Sequence, residues 1–151
     1  MSQASSLQPP DRPGLERLSV HTFGGLSVRQ EAAVQPMQFE TRTVEALLVY
    51  LACHERPLGR EALAELLWPE RTQKQARANL RVAIHRLRQQ LTPYLLVTRQ
   101  SMALAADAPI HVDSREFERL VGAGRLVEAL SLYSGDFLDG FYLDGSPVFE
   151  Q

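Results

Sequence analysis

The chain has a single cysteine among its 151 residues, Cys53, so it can form no internal disulfide. Its place in the apolar run LLVYLAC predicts a reduced core thiol rather than a nucleophile or a metal ligand. Long hydrophobic runs are lacking too: Leu47 to Cys53 and Tyr94 to Val97 fall far short of the roughly 20 apolar residues that span a bilayer. MSQASSLQPPDRPG has neither the basic nor the apolar region of a secretory signal and reads as a disordered lead-in, so a cytoplasmic protein without a membrane partner is expected. There is no glycine-rich phosphate loop, no nucleophile elbow, and no metal-ligand spacing among His21, His54, His85 and His111. The acidic cluster Asp136, Asp139 and Asp144 misses the spacing of a calcium loop and reads as solvated. The expectation is a protein that is not an enzyme and holds no cofactor and no metal.

The most informative absence is of acid in the middle of the chain. Residues 71 to 106 carry seven Lys or Arg and no Asp or Glu, whereas residues 1 to 70 carry 6 against 9 and residues 107 to 151 carry 3 against 9. A basic island of +7 therefore sits inside a chain of net charge −2. Such a field attracts polyanions locally while the molecule as a whole stays soluble.

The periodicities place that island on a helix. LSVHTF and LSVRQ alternate around Gly24 and Gly25, which predicts a β-hairpin, and a third short strand is expected over Met37 to Phe39. Val44, Leu47, Leu48, Leu51 and Ala52 recur at helical spacing, with Thr41 or Thr43 as the cap. LGREALAELLWPE reads as a shorter helix with Leu63, Leu66 and Leu67 inward, stopped by Pro69. A long basic helix follows from about Thr72 to Leu91, then a small hairpin around Arg99 to Ser101. This order fits an α+β winged helix-turn-helix with an N-terminal antiparallel sheet and a C-terminal wing hairpin. After a linker, ADAPIH, the span Asp113 to Gly135 reads as a helical hairpin, with Asp113 and Glu116 set like a capping box and the break at Gly122 or Gly124. Phe137, Phe141, Tyr142 and Phe149 are more aromatic surface than two helices bury, and Pro147 reads as the start of another helix, so the chain is expected to be part of a longer protein. The expected domains are a lead-in at 1–16, a winged helix at 17–106, and the start of an α-helical repeat segment at 107–151.

On the basic helix, Ala76, Leu80, Ala83, Ile84, Leu87 and Leu91 share one arc and predict the core face. The opposite arc carries Gln75, Ala78, Val82, His85 and Gln89, flanked by Lys74, Arg81 and Arg88 on one side and by Asn79 and Arg86 on the other. Small residues at the centre let a helix backbone approach base edges, while cations at the rim reach phosphates or guanine. Val82 suits a thymine methyl, and His85, with no carboxylate beside it on the helix, suits a phosphate or water contact better than base catalysis. A merely solvated helix would interleave Glu with Arg at i,i+4, worth roughly 0.2–0.5 kcal/mol per pair, and this one has none. Arg99 near the hairpin tip suits a backbone or minor-groove contact. Arg77 projects near the apolar arc and is expected to pair with an acid of the preceding helix.

ELLWPERTQKQARANLRVAIHRLRQQL resembles the helix-turn-helix core of the Streptomyces antibiotic regulatory protein (SARP) family, whose effector domain is similar to the OmpR/PhoB winged helix. VHTFGGLSVR resembles that family's first hairpin, and VDSREFERL through EALSLYSGDFLDGF resembles the start of its bacterial transcriptional activator domain, a TPR-like helical module. The resemblance implies a transcriptional activator that binds tandem direct repeats in double-stranded DNA near a promoter, as a homodimer, and recruits RNA polymerase. It implies that Trp68 contacts a phosphate, Arg86 reads bases, Arg88 contacts the backbone, and the turn Pro69 to Gln73 faces polymerase. Trp68 is read equally well as a core anchor of the second helix. Two positions depart from the family: RQSMALA stands where a wing usually carries Gly and Tyr, and Gly59 stands where Ser usually caps the second helix. The alternative function is a protein–protein adaptor whose basic face takes an acidic partner.

Overall fold

The computed structural model describes residues 14–133, 135, 137 and 138. The readings of the lead-in before Gly14, of Asp136, Asp139 and Asp144, and of Phe141, Tyr142, Pro147 and Phe149 lie outside the described residues. The described residues form two compact units, one from those up to Met37 and those between Ala106 and Leu138, the other from Gln38 to Ala105.

In the first unit, β1 (Leu18–His21) and β2 (Ser27–Gln30) pair antiparallel, with Val20 opposite Val28, as the alternation predicts. The turn between them uses Gly24 at φ 79° and Gly25 at φ 116°, a conformation L side chains rarely adopt. Inward Leu18, Val20 and Val28 are buried. ADAPIH, read above as a linker, instead leads into a strand, Ile110–Val112, which pairs parallel with β1. Counting the strands of the other unit, it is β6, and the order is β2-β1-β6. The helices that follow are Asp113–Gly122 and Leu126–Leu132, here α4 and α5, broken at Gly124 with φ 77°.

Asp113 does not cap its own helix. The N-cap is Val112, and the buried Asp113 carboxylate accepts the Thr22 N–H at 2.9 Å, the Thr22 hydroxyl at 2.7 Å and the Phe23 N–H at 3.1 Å. The carboxylate thus satisfies backbone donors at the end of β1 that would otherwise be costly to bury. Glu116 pairs with Arg119 instead, and that hydrogen bond holds its carboxyl below the usual carboxylate range.

The second unit is the helix-turn-helix. Helix α1 (Arg42–Cys53) is capped by the Thr41 hydroxyl, which accepts the Val44 N–H at 3.1 Å. Every apolar position expected to face inward on it is buried, and Ala46, Val49 and Tyr50 are buried with them. Cys53 is half-buried at its end. A two-residue strand, β3 (Leu58–Gly59), precedes α2 (Arg60–Leu67); Gly59 is the N-cap and offers no side-chain bond. Leu63 and Leu67 are buried, but Ala64 rather than Leu66 completes the inward face, and Leu66 is exposed. The long helix α3 (Gln73–Leu91) begins at a capping box: the Thr72 hydroxyl accepts the Gln75 N–H, and the Gln75 side chain accepts the Thr72 N–H.

After a 3-10 turn over Thr92–Tyr94, β4 (Leu95–Val97) and β5 (Ser101–Leu104) form the wing. The sheet order is β3-β5-β4, with Leu58 opposite Met102 and Val97 opposite Met102 on its other side. Met37 to Phe39 is not a strand; only the Met37 N–H reaches β2, at the Val28 carbonyl. Leu47, Leu51, Leu63, Leu87, Leu91, Tyr94 and Met102 are essentially inaccessible and fix α3 against α1 and α2, and α1 against the sheet. Each such side chain contributes roughly 1.5–3 kcal/mol by burial.

Candidate nucleic-acid interface

The core face of α3 is the one the spacing predicts: Ala76, Leu80, Ala83, Ile84, Leu87 and Leu91 are all buried. Burying that stripe leaves the opposite arc outward. Ala78, His85 and Gln89 are exposed and Val82 is 50% exposed, while Asn79 is half-buried. The His85 ring lies 3.4 Å from the Gln89 amide, one turn on. The centre of the arc is therefore small, uncharged and accessible.

The two flanks of this arc differ. On the wing side, Lys74, Arg81 and Arg88 are exposed, and so is Arg99 in the β4–β5 turn. That turn is rigid by its own bonds: the Thr98 hydroxyl accepts the Gln100 and Ser101 N–H groups, and the Thr98 N–H reaches the Ser101 carbonyl. A cleft of about 500 Å³ between α2, α3 and the turn is lined by Arg60, Arg77, Arg81 and Arg99, together with Glu61 and Gln100. A second, of about 510 Å³, continues along α3 past Arg60, Arg81, His85, Arg88 and Gln89. Among the described residues none of Arg60, Lys74, Arg77, Arg81, Arg88 or Arg99 forms an ion pair. Four arginines against the single carboxylate of Glu61 leave a net positive cleft, and a polyanion laid along it relieves the repulsion among them.

Arg60 escaped the sequence reading. It borders both clefts, and its Nε donates to the Thr98 carbonyl at 2.9 Å, which ties the start of α2 to the wing. One signal was present. A cation at a helix N-terminus opposes the helix dipole, at a cost of about 0.3–1 kcal/mol, so an arginine there asks for another reason. Arg77 departs from expectation: its guanidinium donates to the Gln73 amide oxygen at 3.3 Å rather than to an acid of α2.

On the other flank, Arg86 is paired. Its Nε lies 3.0 Å from Oε1 of Glu40, in the segment before α1. One turn on, the Gln90 amide donates to the Gln38 carbonyl at 2.8 Å, so the same segment is held along this side of α3 at two points.

Trp68 is the C-cap of α2, its backbone N–H donating to the Ala64 carbonyl at 2.9 Å. The ring is half-buried and lines a separate cleft of about 340 Å³ with Glu65, Arg71, Gln73 and Arg77. Of the residues singled out from the sequence, the fold brings Arg81, His85, Arg88 and Arg99 to the wing-side clefts. Ala78 and Val82 lie on the open arc, Arg86 is on the opposite flank, and Trp68 is in its own cleft.

No family model matches the chain, and no curated protein matches it. Among solved structures it is similar to Mycobacterium tuberculosis EmbR in complex with a low affinity phosphopeptide, with a TM-score of 0.62 and 23% identity over 83% of this chain. The match covers 38% of the EmbR chain, so this chain spans well under half of that length. No helix among the described residues is long and apolar enough to cross a membrane. The likeness bears out the fold read from the sequence: an α+β chain carrying a winged helix-turn-helix.

Proposed function

We propose that the chain is a sequence-specific, double-stranded-DNA-binding transcriptional regulator of the SARP type. The observation that carries this reading is the convergence of Arg60, Arg81 and Arg99, from three separate elements, on one cleft beside an acid-free helix. Helix α3 enters the major groove; Ala78, Asn79, Val82, His85 and Arg86 face base edges, and Lys74, Arg81, Arg88 and Arg99 meet phosphates or the adjoining groove. Trp68 serves as a further phosphate contact through its indole N–H. The finer reading rests on the resemblance of the sequence: activation from tandem direct repeats as a homodimer, with the turn from Pro69 to Gln73 facing RNA polymerase. On that reading 17–106 binds DNA, 107–151 begins a helical activator domain, and 1–16 is a lead-in.

Titration of the chain with promoter-length duplexes over a salt series tests the proposal. Log K is expected to fall linearly with log salt, by about 0.9 for each phosphate contacted. Absence of duplex binding at low salt overturns it, and binding of an acidic polypeptide instead would favour the adaptor.

A further inference from the structure

The geometry points to Glu40 as the residue that positions Arg86 for base recognition, an inference that rests on the DNA-binding reading above. At about 100° per residue, Arg86 and Lys74 each lie about 60° from the middle of the exposed arc that Gln75, Ala78, Val82, His85 and Gln89 make, whereas Arg81 and Arg88 lie about 80° and about 100° away. Arg86 is thus one of the two cations of α3 nearest the middle of that arc, and of the two it is the one that has a carboxylate partner. The contact is made through Nε. An arginine held at Nε keeps both terminal nitrogens, and therefore two parallel donors in a fixed plane, for the O6 and N7 atoms of a guanine.

The carboxylate is itself supported. Glu40 sits between Gln38, whose carbonyl is bound by the Gln90 amide, and Thr41, whose hydroxyl caps α1. Both anchors belong to the packed helices, so Glu40 is presented from a fixed backbone. With side-chain exposures of 41% for Arg86 and 66% for Glu40, the pair adds little to folding, and removing it leaves the helix-turn-helix intact. What the pair does is order a long, flexible side chain before the duplex arrives, which lowers the entropy lost on binding. It also sets a negative charge beside the groove, which weakens duplexes that offer Arg86 no guanine.

The test uses the whole chain and two duplex probes of equal length, one enriched by the unaltered chain from a randomised pool and one of random sequence. Glu40→Ala is expected to strengthen binding to the random duplex a few-fold. It should also lower the ratio of selected to random affinity by roughly three- to tenfold. Glu40→Gln removes the charge but keeps an acceptor for Nε, so it should strengthen the random duplex equally while retaining most of the ratio. Gln90→Ala, which frees the segment, should lower the ratio by less than Glu40→Ala. Thermal melting of each variant within a degree or two of the unaltered chain excludes a folding effect.

If Arg86→Ala removes the discrimination and Glu40→Ala leaves it unchanged, the positioning role is overturned and DNA reading by α3 stands. If Glu40→Ala raises both affinities by the same factor, Glu40 is only an electrostatic brake and the inference fails. If the unaltered chain does not discriminate among duplexes, the DNA reading and this inference fall together.

Discussion

The two flanks of α3 carry similar residues under opposite arrangements. On the wing side, Arg81, Arg88 and Arg99 gather along the clefts with no ion pair among the described residues; on the other side, Arg86 is paired with Glu40 and the helix is tied to Gln38. A cation without a partner is free to follow a phosphate backbone, which carries no sequence information. A cation fixed in one orientation suits a single donor–acceptor pattern. The difference suggests a division of labour in which one flank holds any duplex and the other chooses among them.

The comparison can be broken from beneath or sharpened at either edge. Leu87→Ala should have the largest effect. Leu87 is fully buried under both flanks, so the change should cost about 2–5 kcal/mol of stability and weaken every duplex together, as read by chemical denaturation. Arg86→Ala should act on one flank, costing about 1–3 kcal/mol of discrimination between selected and random duplexes, measured by competition binding. Thr72→Ala removes the hydroxyl of the capping box and should lower stability by about 0.5–2 kcal/mol without altering discrimination, because the helix start serves both flanks alike. Lys74→Ala should weaken all duplexes equally and reduce the salt slope by about 0.9, with the ratio unchanged. An equal loss of discrimination from Lys74→Ala and Arg86→Ala would erase the distinction between the flanks.

A smaller effect belongs to neither flank. Burial, with Arg17 and His21 nearby, pushes the His111 imidazole below its ordinary range. A group whose folded pKa is lowered in this way gives full stability above its unfolded value of about 6.5, and that contribution is lost as pH falls through the lowered folded value. Thermal melts from neutral pH into the acid range should therefore be flatter for His111→Gln, with duplex affinity at neutral pH unchanged.

Helix α3 was legible because nineteen residues repeat one pattern, and six apolar positions at helical spacing specify which side meets the core. The site on its exposed side followed, since the charges around Val82 are fixed by the same rotation. Leu66 was misjudged because α2 has eight residues, too few to show which of two adjacent leucines faces inward. The two- and three-residue strands β3 and β6 show no period at all, and β6 is defined by parallel pairing with a strand at the far end of the sequence. The same distance hid the partners of Asp113, 91 positions away, and of Arg86. The capping pattern at Asp113 was a sound local reading that long-range contacts replaced, and the carboxylate beside Arg86 comes from a segment no local pattern links to α3.

The central claim is that the acid-free helix and the wing-side arginines hold a DNA duplex. Affinity of the unaltered chain for duplex DNA, measured over a salt series beside the Arg81→Ala/Arg88→Ala double variant, tests it most directly. A linear log–log dependence whose slope drops by about 1.8 in the variant is the predicted result. Binding that ignores salt, or a slope the double variant leaves unchanged, would contradict it.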